Sequence, residues 1–294
     1  MGYHALQRVV VRLLFDPAFV EAVYANPETA FAGVDVSEAE RQQVLQTDRR
    51  AWGYDQLRRQ RSLRALADEF KSSVTLALAE TRSLRFLEAY FSSPFFHEAV
   101  QNRGSMGLSF AAYLAEMVRQ GTLKTPQLPD ILRLETTLAA CRRELPAAHQ
   151  QGNNRLPKTL DDATVVQLAP AFSVGSFNGN VVSIMQSIES YLFEVSLMPA
   201  MVLCDDAPRL TGLPPVEPKK KVFMQFQPGG AGINLIQIER DEFLVLYETK
   251  KPKSIGTVLS RARTAGVSIK KATEILAEAV ENRVVSLIAK GSAG

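Results

Sequence analysis

The sequence predicts an α+β protein, with an all-helical N-terminal domain followed by a small winged-helix-like domain of three strands plus helices. Apolar residues recur at three- and four-residue steps from Ala5 to about Glu144, and turn-forming residues then multiply up to Lys221. From Val222 onward the apolar residues follow a period of two. We therefore predict a helical domain over 1–145, a connecting region and linker over 146–221, and a strand-containing domain over 222–294.

The helical domain contains clear helix boundaries. Asp16-Pro17 provides an N-cap followed by proline at the first helical position, which predicts a helix from there to about residue 25. Ser37-Glu38-Ala39-Glu40 fits the capping-box pattern and predicts another helix start. Pro94 begins a new first turn, and Asn102-Arg103-Gly104 ends that helix. Helices are also predicted over 109–119 and 129–145.

The C-terminal domain follows the proline-rich segment 214–221, which is the best linker candidate because repeated proline excludes helix. Three apolar-rich segments, 222–227, 233–238 and 242–247, predict a three-stranded antiparallel meander. Two helices are predicted after it, from Ser254 to about Thr264 and from Ser268 to about Asn282.

The residue composition argues against a metal site in this chain. The three histidines are far apart, and none has HxxxH or HxxE spacing. Cys141 and Cys204 form no CxxC motif and are predicted to be buried free thiols. No run of eighteen apolar residues and no apolar signal segment occurs, so we expect a cytoplasmic protein without a membrane partner.

Motifs of enzymes that act alone are also missing from the sequence. There is no GxSxG, Walker loop or nucleotide-binding glycine fingerprint. Gly229-Gly230-Ala231-Gly232 joins two predicted strands and fits a hairpin connection better than a phosphate cradle. Cys204-Asp205-Asp206 has no nearby histidine that would activate the thiol. We therefore predict no catalytic residues in this chain.

The winged-helix-like ending raises the alternative of a DNA-binding transcriptional regulator. A recognition helix needs side chains that neutralise phosphate and read base edges. The candidate helix 269–281 has Glu274, Glu278 and Glu281 alongside Lys270 and Lys271, and those carboxylates would repel phosphate. No nucleic-acid partner is therefore expected, and peptide capture fits better.

Two parts of the chain resemble proteins of ribosomal-peptide maturation. The order strand, strand, strand, helix, helix over 233–288 resembles the peptide-recognition elements of the pyrroloquinoline-quinone chaperone type, with one helix fewer than is usual. The segments 86–91, 95–106 and 110–114 are similar to the helical region of partner proteins of multinuclear non-haem iron oxidases. Within that group the chain is most similar to the partner in 3-thiaglutamate biosynthesis, and more distantly to the methanobactin partner.

The resemblance implies a non-catalytic subunit that forms a heterodimer with a TIM-barrel multinuclear iron oxidase. The enzyme would supply the iron and all its ligands, and this chain would hold no cofactor. The subunit would bind the leader of a ribosomal precursor or carrier peptide and present its cysteine for excision of the β-carbon. We expect His97, with Asn102 and Arg103 at the end of the same helix, to contact the enzyme.

In the recognition-element pattern the leader adds to the third strand, which is here Phe243-Leu244-Val245-Leu246-Tyr247. Side chains alternate between the two faces of a strand, so Phe243, Val245 and Tyr247 would share one face and Leu244 and Leu246 the other. Either face could contact the leader. On the facing helix we expect contacts from Lys270, Lys271, Thr273, Ala277 and Val280. Lys270 and Lys271, flanked by Lys250 and Lys251, would favour an acidic leader. The alternative is that the apolar residues are ordinary core and the lysines ordinary surface.

Overall fold

The computed structural model describes residues 3–53, 55, 57–150, 161–198, 209–230 and 232–288. The chain divides into two compact units, residues 1–132 and 133–294. The first unit is helical, and the second combines helices with two small antiparallel sheets. The predicted α+β class is confirmed.

The first unit consists of helices joined by short turns. Their bounds are α1 Tyr3–Phe15, α2 Pro17–Ala25, α3 Pro27–Ala30, α4 Glu38–Gln46, α5 Arg49–Trp52, α6 Leu57–Glu69, α7 Lys71–Thr81, α8 Leu84–Glu88, α9 Pro94–Gln101, α10 Met106–Arg119 and the start of α11 Leu128–Gln150. A 3₁₀ turn, Ala89–Ser92, lies between α8 and α9.

Side-chain caps begin several of these helices, and those at Asp16 and Ser37 are the ones that the sequence predicts. The Asp16 carboxylate accepts a hydrogen bond from the Ala18 amide at the start of α2. Ser37 and Glu40 form a reciprocal capping box at the start of α4. Ser93 caps α9, which ends at Gln101 as predicted. Each cap satisfies amides that a helix start leaves without an intrahelical partner.

Aromatic residues fill the core of the first unit between the 3₁₀ turn, α9 and α10. Tyr90, Phe91, Phe96 and Phe110 are all fully buried. The Tyr90 ring meets Phe96 and Phe110 edge-on, at centroid distances of 5.6 and 5.2 Å. Edge-to-face pairs are the preferred aromatic geometry. Residues 90–110 therefore supply an aromatic part of the core of this unit.

The second unit continues from α11 into alternating strands and helices. Their bounds are β1 Val165–Leu168, β2 Ser173–Asn178, α12 Val181–Ser196, β3 Lys221–Gly229, β4 Gly232–Ile238, α13 Arg240–Glu248, β5 Lys253–Ser254, α14 Ile255–Thr264, α15 Ile269–Glu281 and β6 Val285–Ile288.

The strands form two sheets of order β5-β1-β6 and β2-β3-β4, with all pairs antiparallel. The predicted β3–β4 hairpin is confirmed, with Phe226 opposite Leu235. The predicted connecting region supplies β1 and β2, so part of it belongs to the sheets of the second unit. These strands are short and lie among proline, glycine and asparagine residues, which masked their pattern in the sequence.

The predicted third strand of the meander is wrong, because residues 240–248 form helix α13. The run Phe243-Leu244-Val245-Leu246-Tyr247 is uniformly apolar, and a short run of this kind fits a buried strand or a helix equally well. Asp241 and Glu242 in the first turn favour the helix through its dipole. Three helices, α13, α14 and α15, therefore follow β4, where two were predicted.

The core of the second unit lies between these three helices and both sheets. Val245, Leu246, Val258, Ala272 and Leu276 are buried together with Val166 of β1 and Val174 of β2. Ser254 and Ser268 cap α14 and α15, and both helices match their predicted bounds. Within the part of the chain that the structure describes, no helix is both long enough and apolar enough to cross a membrane.

Candidate peptide-binding site

The five residues predicted as the peptide-binding strand occupy different environments on α13. Val245 and Leu246 are fully buried, and Leu244 packs against the same core. Phe243 stacks on Phe223 of β3 at 4.7 Å. Tyr247 is half exposed, with the Lys250 ammonium 4.8 Å above its ring. The prediction that this segment is an edge strand is wrong, and ordinary core is the correct interpretation of Val245 and Leu246.

The predicted residues on α15 also lie in different environments. Lys270, Thr273 and Ala277 are exposed, whereas Val280 is buried in the core. The Lys271 ammonium lies 2.6 Å from the Asp241 carboxylate, and this hydrogen bond raises the pKa of Lys271. Lys271 is therefore already paired within the chain, which weakens the case for attraction of an acidic leader.

The open edge of the β2-β3-β4 sheet is β4. Among the described residues no strand pairs with its outer side. Ile233, Leu235 and Ile238 are only partly buried, and Ile236 is 41% exposed. An edge strand with partly exposed apolar side chains is a ready template for pairing with another chain.

The opposite edge of this sheet, β2, differs in its surroundings. The Arg133 guanidinium donates a hydrogen bond to the Ser176 carbonyl and lies 4.8 Å above the Phe177 ring. A charged side chain over an edge strand opposes pairing with another strand. Strand addition is therefore favoured at β4.

A cleft of about 500 Å³ lies between β3, α13 and α15, and Phe172 before β2 and Val284 before β6 also line it. Its lining includes Gln225 and Gln227 from β3, Glu242 and Leu246 from α13, and Ile275, Glu278, Ala279 and Asn282 from α15 and its C-terminal end. Gln225 is paired with Ile236, and Gln227 with Asn234. Directly opposite residues share a sheet face, so Asn234 and Ile236 lie on the cleft side of β4.

The cleft is acidic. Burial raises the pKa of the Glu242 carboxyl, and the nearby charge of Glu278 raises it further. Within the described chain, neither glutamate has an ion-pair partner. The Gln225 amide donates to the Gln227 amide oxygen over 2.9 Å, so the floor of the cleft is polar without being charged.

Sequence reasoning missed most of this cleft. The predicted peptide-contact face of α15 includes Lys270, Thr273 and Ala277. The cleft is lined by a different face of the helix and its C-terminal end, with Ile275, Ala279 and Asn282. One signal was present in the sequence: glutamines recur at alternate positions of the otherwise apolar β3 strand. Polar residues on a strand face that a helix covers suggest a cleft at that position.

The predicted enzyme-contact residues lie in the first unit. The His97 Nε2 atom is 3.1 Å from the carboxylate of the buried Asp16, and the imidazole is only 14% exposed. Asn102 ends α9, and Arg103 has a left-handed φ of 50° with its guanidinium against His4. Their role in binding an enzyme stays a prediction.

Cys141 is a buried free thiol, as predicted, and burial raises its pKa to about 11. Cys204, with the predicted loop around it, lies outside the described residues. Within the residues that the structure describes, no three histidine, cysteine, aspartate or glutamate side chains lie close enough together to hold a metal ion.

Comparison with known proteins leaves the family open. No protein-family model matches the chain. A search of curated proteins gives no significant match. The resemblance to partner proteins of iron oxidases therefore stays a prediction.

Proposed function

We propose that this chain is a non-catalytic subunit whose second unit binds an extended precursor-peptide segment as an additional strand on β4. The subunit would present that peptide to a separate TIM-barrel multinuclear iron oxidase, with cysteine β-carbon excision as the reaction that the resemblance implies. The observation that supports this proposal best is the open β4 edge, with its partly exposed apolar side chains.

Strand addition at β4 uses two kinds of interaction. The outward amides and carbonyls of β4 would pair with the backbone of the peptide, which provides affinity without specifying a sequence. Alternate side chains of the peptide would then lie beside Ile236 and Asn234, on the sheet face that includes Gln225 and Gln227. Over 221–281, strands β3 and β4 are followed by three helices, which agrees with the helix count of the recognition-element pattern, although α12 separates β2 from β3.

The regulator alternative has less support. The exposed surface of α15 includes Glu274 and Glu281 as well as Lys270, and Lys271 is paired with Asp241. A helix with this charge distribution neutralises few phosphates. Peptide binding remains the better interpretation of this unit.

A direct test uses peptides selected from a random twelve-residue display library against the full chain. Ile236→Lys places a charge on the β4 edge without altering the β3–β4 backbone pairing, and we expect it to weaken peptide binding at least tenfold in fluorescence anisotropy. Phe193→Lys is the matched control, since Phe193 is an exposed apolar residue on α12. Failure to select any peptide, or equal binding by both variants, would contradict peptide capture at β4.

Presentation to an enzyme needs its own test. Co-expression with the proteins encoded by the flanking reading frames is expected to give a stable complex of this chain with an iron-containing barrel protein. Purification of the chain free of any such protein would argue against the partner role while leaving peptide binding intact.

A further inference from the structure

The C-terminal half of α12 and the two residues after it, here called the α12 end (189–198), have apolar side chains that the second unit leaves uncovered. We propose that the α12 end is the docking surface for the separate enzyme subunit, an inference that rests on the proposed function. The enzyme would receive it in an apolar groove with lysine or arginine side chains at the rim. Peptide binding at β4 and enzyme docking at the α12 end then use different surfaces of the second unit.

Burial divides α12 into two parts. Val181, Ile184 and Ile188 are buried, whereas every residue of the helix after Ile188 is at least partly exposed. Phe193 is 65% exposed and Leu197, at the C-cap, is 69% exposed, and these are the two most exposed large apolar side chains of the described chain. The first part therefore anchors the helix, and the second part leaves apolar surface in water, which is typical of an interaction site.

The apolar residues of the α12 end lie on more than one side of the helix. Only Glu194 and Ser196 in the run 191–198 are neither apolar nor aromatic. With about 3.6 residues per turn, Leu192 and Val195 continue the stripe that is buried earlier in the helix, while Phe193 and Leu197 lie on another side. A helix with apolar residues on all sides is normally enclosed. A groove that surrounds the helix therefore fits this surface better than a flat partner.

The charges of the α12 end are all negative. Helix α12 contains Glu189 and Glu194 but no lysine or arginine. Helical spacing places the two glutamates on either side of Phe193, and neither has an ion-pair partner in the part of the chain that the structure describes. The last turn has no basic residue to compensate the negative end of the helix dipole. Basic residues along both rims of a groove would complement these charges.

The same charges argue against two other occupants of this surface. Pairing of two α12 ends from two copies of this chain would bring glutamates together without a cation, and like charges at short distance are unfavourable. Helices that lie on a membrane surface are rich in lysine and arginine on their polar face, and α12 has neither. A different protein with a basic-rimmed groove is the occupant that the charges favour.

The complex with the co-expressed barrel protein tests the apolar part of this surface. Phe193→Lys with Leu197→Lys places two charges in the proposed groove, and we expect it to weaken the complex at least tenfold in isothermal titration calorimetry. Both residues are exposed, so the variant should keep the melting temperature of the natural chain and its affinity for a display-selected peptide. Leu84→Lys is the matched control, since Leu84 is 60% exposed on α8, and it should keep full affinity for the enzyme.

A second pair of variants tests the charges. Glu189→Lys with Glu194→Lys should weaken the complex at least tenfold at low salt, and added salt should reduce the difference from the natural chain. Glu274→Lys with Glu281→Lys makes the same change at exposed positions of α15 and should have little effect on the complex. Equal losses from the two pairs would show general electrostatics instead of a docking surface, and would contradict the basic rim.

The outcomes distinguish this inference from the proposed function. If the complex keeps full affinity with Phe193→Lys and Leu197→Lys, the enzyme docks elsewhere and this inference is wrong while the proposed function stands. The inference is also overturned if the natural chain alone forms a dimer in light scattering, or binds phosphatidylcholine–phosphatidylserine vesicles, and the same variant abolishes that association. If co-expression gives no complex, the partner role and this inference both fail, and peptide binding at β4 is unaffected.

Discussion

The ring of Phe243 on α13 lies 4.7 Å from the ring of Phe223 on β3, with the two planes 28° apart. This contact fixes α13 across the sheet and directs Glu242 and Leu246 toward the cleft. Helix α13 thus forms a wall of the cleft, where a strand was predicted.

Proline at position 245 tests the helix assignment. Val245 is fully buried in the interior of α13, so Val245→Pro removes a helical hydrogen bond and introduces a steric clash. We expect a loss of about 3 kcal/mol or more in unfolding free energy, measured by urea titration followed by circular dichroism. Val245→Ala, which keeps the helix, should cost less; equal stability of Val245→Pro and the natural chain would indicate that 240–248 is not helical.

The sequence predicted helix starts well and cleft residues poorly, for different physical reasons. Caps such as Asp16-Pro17 and Ser37-Glu40 are local, so their chemistry is visible in a few residues. The cleft depends on the tertiary packing of β3 against α13 and α15, which no short stretch of sequence specifies. The apolar run 243–247 had no period that distinguishes a strand from a helix. It was therefore predicted to be the edge strand, whereas the structure has a helix there and the open edge is β4.

The buried Asp16 provides a test through pH. Burial acts to raise its pKa, but hydrogen bonds from His97 and Ser92 outweigh burial and hold the pKa below the ordinary 3.8. Because the folded value is the lower one, the stabilisation is complete above the unfolded pKa and is lost as pH falls through the acid range. We expect Asp16→Asn to lower the unfolding free energy by about 2 kcal/mol at pH 6.

The pH series supplies the control for this prediction. Urea unfolding at pH 6, 4 and 3 should show a larger loss of stability for the natural chain than for Asp16→Asn. Parallel pH profiles for the two proteins would show that the Asp16 carboxylate is not the titrating group.

Iron content tests the division of labour with the proposed enzyme. The three histidines are separated in sequence, and the described residues contain no metal-binding group of three side chains. We expect elemental analysis of the chain purified alone to find well under one iron per chain. About one or more tightly held iron would mean that this chain contains a metal site of its own.

Binding to duplex DNA separates the proposed function from the regulator alternative. The glutamates of α15 oppose phosphate, so we expect no shift of a mixed-sequence duplex at physiological salt. Tight binding that weakens steeply with added salt would support a DNA-binding role. Glu274→Lys with Glu281→Lys is a useful comparison, since added basic charge should increase any such binding.

Amide hydrogen exchange of β4, with and without a display-selected peptide, tests strand addition most directly. If the peptide pairs with Gly232–Ile238, the outward amides of this strand should exchange at least tenfold more slowly in the complex, because each becomes hydrogen-bonded to the peptide backbone. The β2 edge, where Arg133 contacts Ser176, should be unchanged. Protection confined to β2 or to the exposed face of α15, with β4 unaffected, would contradict the proposed binding mode.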